Sequence, residues 1–248
     1  QVIGAKTISI PSAMLTSMVR QTIFSCAVPG NSKPVHTGIM YEIENGILRL
    51  IAVDGFRVAI RQEKIDFEGV IRFIVPARAM SEVLRLITTD ADIKVTMSKR
   101  HIIFTVDGFM IISRLLDGDF FSYERILTDE VNTTLSVDTR LLIDMIERVS
   151  TVIVDKERRK TPICCNISDG VFKATCTTDV GSATDEIPVD MEGKNINIGF
   201  NFRYLLEALR ASESDKLVLQ LNQADKPLFM RPIDGDSFLY IVLPVRLK

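Results

Sequence analysis

Apolar and polar positions alternate along much of the chain, and a period of two predicts strands. Strands are expected over residues 92–98, 101–107, 109–116, 216–222, 227–233 and 238–245, all rich in β-branched and aromatic residues. At four places the apolar positions shift to helical spacing, which predicts helices over 11–28, 77–88, 138–154 and 201–211. Two strand pairs are hinged on Asn45-Gly46 and Asp169-Gly170, dipeptides that tolerate the positive φ angles of a tight hairpin. The pairs Asp54-Gly55, Asp107-Gly108, Asp117-Gly118 and Asp234-Gly235 fall where the strand pattern needs turns. They read as turns rather than metal ligands.

The pattern occurs twice, at a spacing of roughly 125 residues. ISIPSAMLTSMV (8–19) parallels LSVDTRLLIDMI (135–146), a strand running into a helix. TGIMYEIENGILRL (37–50) parallels TPICCNISDGVFKA (161–174). IRFIVPARAMSEVLRLI (71–87) parallels INIGFNFRYLLEALRA (196–211), and both helices carry Arg, Glu and Arg at i, i+4 and i+7. Each repeat therefore reads close to β-α-β-β-β-α-β-β-β. The chain is expected to be α+β, with two domains of one plan, 1–130 and 131–248, divided in the polar stretch 127–134.

Composition adds exclusions. With 46% apolar and 25% charged residues among 248, the chain can bury a core and is neither disordered nor fibrous. No apolar run is long enough for a membrane helix, and no partner membrane is expected. The N-terminus lacks both Met and the build of a signal peptide, so the numbering is expected to begin inside a longer chain. A net charge of −2 gives no global polycationic signal. Cys26, Cys164, Cys165 and Cys176 have no metal-binding spacing and read as reduced cytosolic thiols. Cys164 and Cys165 are expected on opposite faces of one strand.

Catalytic signatures are missing from the sequence. His36 and His101 are the only histidines, and no GxSxG, HExxH, P-loop or GxGxxG pattern occurs. His101, beside Lys99 and Arg100, reads as a solvated residue at a strand start. No enzyme, cofactor or metal is expected; an enzyme using Cys164 or Cys165 is one rival reading.

Three features do ask for a function. The helices are basic: 11–28 carries Arg20 and no acid, while 77–88 and 201–211 each carry two Arg against one Glu. A shared helix face would form a basic stripe suited to phosphates. Spacing leaves open that Arg78/Glu82 and Arg203/Glu207 are solvated ion pairs. The C-terminus reads YIVLPVRLK, unusually apolar for a chain end. Pro244 should take residues 243–247 out of the sheet, either to plug the molecule's own core or to line a partner groove. Finally, Gly55-Phe56-Arg57-Val58 places an aromatic and a cation after a turn, as peptide-binding surfaces do.

The segments IAVDGFRVAI (51–60), SRLLDGDFFSYERIL (113–127), IGFNFRYLLEALRA (198–211) and YIVLPVRL (240–247) resemble the sliding clamp, the β subunit of bacterial DNA polymerase III. The resemblance covers essentially the whole chain. It matches the second and third of that family's three domains, so the first is expected to be absent from this sequence. It implies a non-catalytic processivity factor: a head-to-tail homodimeric ring around duplex DNA, helices lining the channel, located in the bacterial cytoplasm at the nucleoid. Implied partners are double-stranded DNA without sequence preference, the polymerase III α subunit, the clamp loader and other proteins with clamp-binding motifs. Residues implied on or near the channel are Arg20, Lys33, Arg78, Arg85, Arg148, Arg158, Arg159, Arg203 and Arg210.

The family also binds short linear motifs in a pocket between its second and third domains. Matched by position, that pocket falls on His36, Val53, Gly55, Phe56, Arg57 and Val58, then Phe121, Arg125 and Ile126. It is completed by Pro227, Ile241, Leu243, Pro244, Val245, Arg246 and Leu247. Thr151 and Val152, at the end of helix 138–154, are implied at the dimer interface. Many clamps end in Met-Pro-Met-Arg-Leu, whereas here the tail is Leu-Pro-Val-Arg-Leu, which implies a stiffer pocket. Phe56, Val53, His36 and Phe121 also depart from the common pattern. A protein-only docking module of this fold, without a DNA role, is a second rival reading.

Overall fold

The computed structural model describes residues 6–30, 32–127, 130–153 and 161–247. The chain divides into two compact units, Gln1–Ser122 and Tyr123–Lys248. The first runs β1 (Lys6–Pro11), α1 (Ser12–Ile23), a single 3-10 turn (Pro34–Thr37), β2 (Gly38–Glu44), β3 (Ile47–Val53) and β4 (Arg57–Lys64). It continues with β5 (Ile71–Pro76), α2 (Ala77–Leu86), β6 (Asp92–Met97), β7 (His101–Val106) and β8 (Phe109–Arg114). Its strands form two antiparallel sheets, in the orders β1-β6-β7-β8 and β4-β3-β2-β5.

The second unit repeats the plan. It starts with a 3-10 turn (Tyr123–Ile126), β9 (Thr133–Asp138), α3 (Thr139–Ser150), β10 (Ile163–Ser168), β11 (Val171–Thr178) and β12 (Gly181–Pro188). Then come β13 (Asp190–Gly193), β14 (Ile196–Phe200), α4 (Phe202–Ala211), β15 (Lys216–Leu221), β16 (Leu228–Pro232) and β17 (Phe238–Val242). The sheet orders are β12-β11-β10-β14 and β13-β9-β15-β16-β17. The repeat read from sequence is therefore present, with more strands between the helices than that reading allows. β12 and β13 are the weak signals: GSATDEIP buries only Ile187, because β12 is an edge strand with little apolar content to reveal it.

Each helix starts directly from a strand, and the two units start theirs differently. Pro11 and Pro76 stand before α1 and α2 with φ near the fixed proline value, at −55° and −53°. Asp138 and Asn201 cap α3 and α4 with side-chain oxygens that accept from Leu141 N and Arg203 N. Two helices are shorter than their apolar spacing suggests. α1 ends at Ile23, and the apolar residues after it belong to a turn in which Ala27 N donates to His36 O. α3 ends at Ser150, where the hydroxyls of Ser150 and Thr151 donate to the carbonyls of Glu147 and Arg148.

Core side chains come from one face of each element. In the first unit Leu15, Met18 and Val19 of α1 and Met80 and Val83 of α2 pack with Ile39, Tyr41, Leu50, Phe104 and Val106. In the second, Leu142, Ile146, Leu205 and Leu209 converge with Phe172, Phe200, Leu219 and Met230. The turns behave as their dipeptides require: Asn45, Asp107 and Asp169 have φ of 53°, 46° and 52°, each followed by a positive-φ glycine.

Asp107 does more than turn. Its carboxylate accepts from the backbone N of Thr88 (2.8 Å) and Thr89 (3.1 Å) and from both hydroxyls, which pins the loop after α2 to the β7–β8 hairpin. These bonds, that from the Thr89 hydroxyl foremost, pull its pKa down to about 2. A carboxylate whose pKa is lower folded than unfolded stabilises above the unfolded value and loses that contribution as pH falls towards the folded one. Asp107→Asn should therefore lower the melting temperature at neutral pH, and the gap to the parent should close between about pH 4 and pH 2. Melting curves across that range check it; a gap independent of pH would contradict it.

Candidate functional site

The first unit gathers Val53, Gly55, Phe56, Arg57 and Val58 at the tip of the β3–β4 hairpin. Val53 and Val58 are register partners and both are buried. Asp54 builds the turn: its Oδ1 accepts from Phe56 N (2.9 Å) and Arg57 N (3.2 Å). Phe56 is left 56% exposed. Arg57 does not rim this surface as the sequence suggests. It is only 8% exposed; its Nε donates to Asp54 Oδ2 (2.9 Å), its Nη2 donates to Phe24 O (2.6 Å), and it lies 5.3 Å from the Phe24 ring centroid. Desolvation makes an intramolecular ion pair the stable arrangement for a guanidinium in this position. Cys26 flanks the group, its thiol pushed up to about 12 chiefly by burial and then by Asp54.

The turn after α1 links this tip to His36. Phe24 holds Arg57, while Ala27 N donates to His36 O at 2.8 Å. The imidazole packs edge-on to Phe120, with ring centroids 5.6 Å apart. Burial and then the charge of Lys33 hold its pKa below the ordinary histidine value. Phe121 is half-buried at the end of this unit. Phe24 and Phe120 are parts of the site that sequence reading missed, since their partners Arg57 and His36 are distant in the chain; Asp54 reads from sequence only as a turn residue.

In the second unit the candidate residues lie mainly on the C-terminal strand and the tail that follows it. Ile241 is fully buried opposite Phe229, and Pro227 is half-buried just before β16. β17 ends at Val242, and the tail then leaves its sheet as Pro244 requires. It crosses to the unit's other sheet, where Val245 N donates to Gly199 O at 2.8 Å. A Cβ at Gly199 would meet Val245 O at 2.6 Å and Leu247 Cδ2 at 2.7 Å, so only glycine admits the tail. Anchored there, Leu243, Val245 and Leu247 remain 36%, 37% and 37% exposed. Arg246 is exposed and Pro244 half-buried. Arg125 is exposed and Ile126 half-buried on the 3-10 turn that opens this unit.

The helix cations divide by unit. Arg20, Lys33 and Arg78 are exposed, and none forms an ion pair among the described residues. Arg85 pairs with Glu82 at 2.9 Å, so the i, i+4 pair Arg78/Glu82 suggested by spacing does not form. Every implied channel arginine on α3 and α4 has a carboxylate: Arg148–Asp185 (2.6 Å), Arg203–Glu207 (4.0 Å) and Arg210–Glu147. Arg158 and Arg159 lie outside the described residues. Thr151 and Val152 follow α3 rather than end it; Thr151 is exposed, and Val152 O accepts from the Thr178 hydroxyl at 3.1 Å.

The thiols offer little to a nucleophilic mechanism. Cys165 is fully buried, and Cys164, on the opposite face, donates to Asn197 Oδ1 at 3.0 Å. Burial raises the pKa of both, which disfavours the thiolate that such chemistry needs. Among the described residues no cluster of His, Cys, Asp or Glu could hold a metal ion.

Comparison with known proteins bears on both units. Residues 9–121 match the family model of the DNA polymerase III beta subunit, central domain, and residues 124–246 that of its C-terminal domain. The chain belongs to the DNA polymerase III beta subunit family. A beta sliding clamp of Halalkalibacterium halodurans is 25% identical over 248 residues, covering 96% of this chain. One from Staphylococcus aureus is 27% identical and covers 99%. The chain spans 64% of the length of the first relative and 66% of the second. The crystal structure of a DNA polymerase sliding clamp from Pseudomonas aeruginosa superposes with a TM-score of 0.91 at 27% identity, covering 97% of this chain and 66% of that one. The α+β clamp fold implied by the four segments is thus the fold of this chain, and its two units are that family's second and third domains.

Because Arg57 is buried with hydrogen bonds to a carboxylate and a carbonyl, Arg57→Ala should cost about 2 kcal/mol of stability. Urea unfolding measures it, and an unchanged midpoint would show that the Asp54–Arg57–Phe24 group is dispensable.

Proposed function

We propose that this chain is the docking and part of the ring of a DNA sliding clamp, a non-catalytic factor that tethers the replicative polymerase to duplex DNA. The observation that carries the reading is the tail. A chain end with three partly exposed aliphatic side chains, held to a sheet through a glycine that tolerates no Cβ, is a prepared apolar surface. Family membership over both units gives that surface its partner class: the clamp-binding motifs of the polymerase III α subunit, the clamp loader and other replication and repair proteins.

In this reading two clusters take the peptide's aliphatic and aromatic anchors. One is the β3–β4 tip with His36, Val53, Gly55, Phe56, Val58 and Phe121; the other is Arg125, Ile126, Pro227, Ile241 and residues 243–247. Arg57 serves the first cluster by fixing the hairpin, not by touching peptide. Helix-borne cations contact phosphates without reading sequence, as a sliding contact needs. A full-length protein would form a homodimeric ring with Thr151 and Val152 at its closure, in the bacterial cytoplasm at the nucleoid. No helix among the described residues is long and apolar enough to cross a membrane.

Calorimetric titration with a Gln-x-x-Leu-Phe peptide tests the docking. The parent should bind in the micromolar range, about −8 kcal/mol. Phe56→Ser and Leu243→Ser should each weaken binding about tenfold or more, and Gly199→Ala, which displaces the tail and with it Val245 and Leu247, should do the same with every side chain of both clusters unchanged in identity. Unchanged affinity in all three would refute the placement.

A further inference from the structure

On the reading that the helices face duplex DNA, we infer that the first unit supplies the phosphate contacts, and that the second unit's helix arginines are neutralised by its own carboxylates. The two helix pairs come from one repeated plan, yet their charges differ in arrangement. α1 carries Arg20 and no acid, and α2 adds Arg78 and Arg85 against Glu82 alone. That pair is net positive by two, with Arg20 and Arg78 exposed and ion-paired to no described residue.

In the second unit α3 and α4 hold four arginines against Asp144, Glu147 and Glu207. Asp185 of β12 then takes the remaining charge through Arg148 at 2.6 Å. That bond, foremost, holds the Asp185 carboxyl below the ordinary carboxylate range. Arg210 reaches across from α4 to Glu147 on α3, and Arg203 is drawn along its own helix towards Glu207. A phosphate approaching these groups meets an ion pair rather than a cation. It must displace a carboxylate to gain the contact, and few counterions are released when it does. Exposed pairs are individually weak, but their effect on DNA is set by net charge at the surface, which they cancel.

Fluorescence anisotropy of a short mixed-sequence duplex, titrated with this chain over a range of salt, reads the difference. Arg20→Gln with Arg78→Gln should weaken binding about tenfold at low salt and flatten the salt dependence of log K by about 1.8, as expected for two lost phosphate contacts. Arg203→Gln with Arg210→Gln removes the same net charge but no phosphate contact, so it should weaken binding less than the first pair does and leave the salt dependence of log K nearly unchanged. Conversely, Glu147→Gln with Glu207→Gln should free both arginines and tighten binding about threefold. Arg158 and Arg159 are unchanged in every variant. Equal losses in the two arginine pairs, or a larger loss in the second unit, would overturn the inference while leaving the DNA reading standing. A parent chain with no salt-dependent binding would overturn both.

Discussion

A helix of three turns can bury only one apolar stripe, and everything else here follows from how four such helices satisfy that limit. Each lies against an antiparallel layer and gives Leu, Met, Val or Ile from one face to a shared core, as Leu15, Met18 and Val19 do in α1 and Leu142, Ile146 and Val149 in α3. The opposite face must then be polar, and in this chain it is arginine-rich. The surface on which DNA contact is proposed is therefore not an addition to the fold. It is the remainder once the core is packed.

The docking clusters arise from a different limit, the need of every strand end to turn or stop without losing backbone partners. At the β3–β4 tip, Asp54 supplies those partners and a buried guanidinium locks the turn to α1's C-terminal end, so that Phe56 can stand exposed at little local cost. At the chain end, proline ends the ladder and Gly199 offers a replacement acceptor on the other sheet of the same unit. In both cases a rigid backbone arrangement presents apolar side chains that nothing in their own unit fully covers. Pre-organised apolar groups of this kind lower the entropy cost of capturing a flexible peptide.

Much of this was legible in the sequence because repetition and alternation report directly on backbone periodicity. The two-unit plan, the Asn-Gly and Asp-Gly hairpins and the exit of the tail at Pro244 all rest on local chemistry. What escaped rests on distant partners. Nothing near Arg57 in sequence reveals that Phe24 O accepts from it, and nothing near Arg148 reveals Asp185 on β12. Helix ends failed for a related reason: Phe24, Cys26 and Ala27 continue an apolar pattern, but their burial comes from packing in a turn. β12 carries too few apolar residues to announce an edge strand.

Hydrogen exchange of this chain with and without a clamp-binding peptide tests the central claim most directly, since it reports on each backbone segment at once. The account predicts added protection centred on the β3–β4 tip around residues 53–58 and on the last strand and tail, residues 241–247, with less at the segments around His36, Phe121–Ile126 and Pro227, and with α1 to α4 unchanged. Protection centred on the helices, or none at saturating peptide, would contradict it.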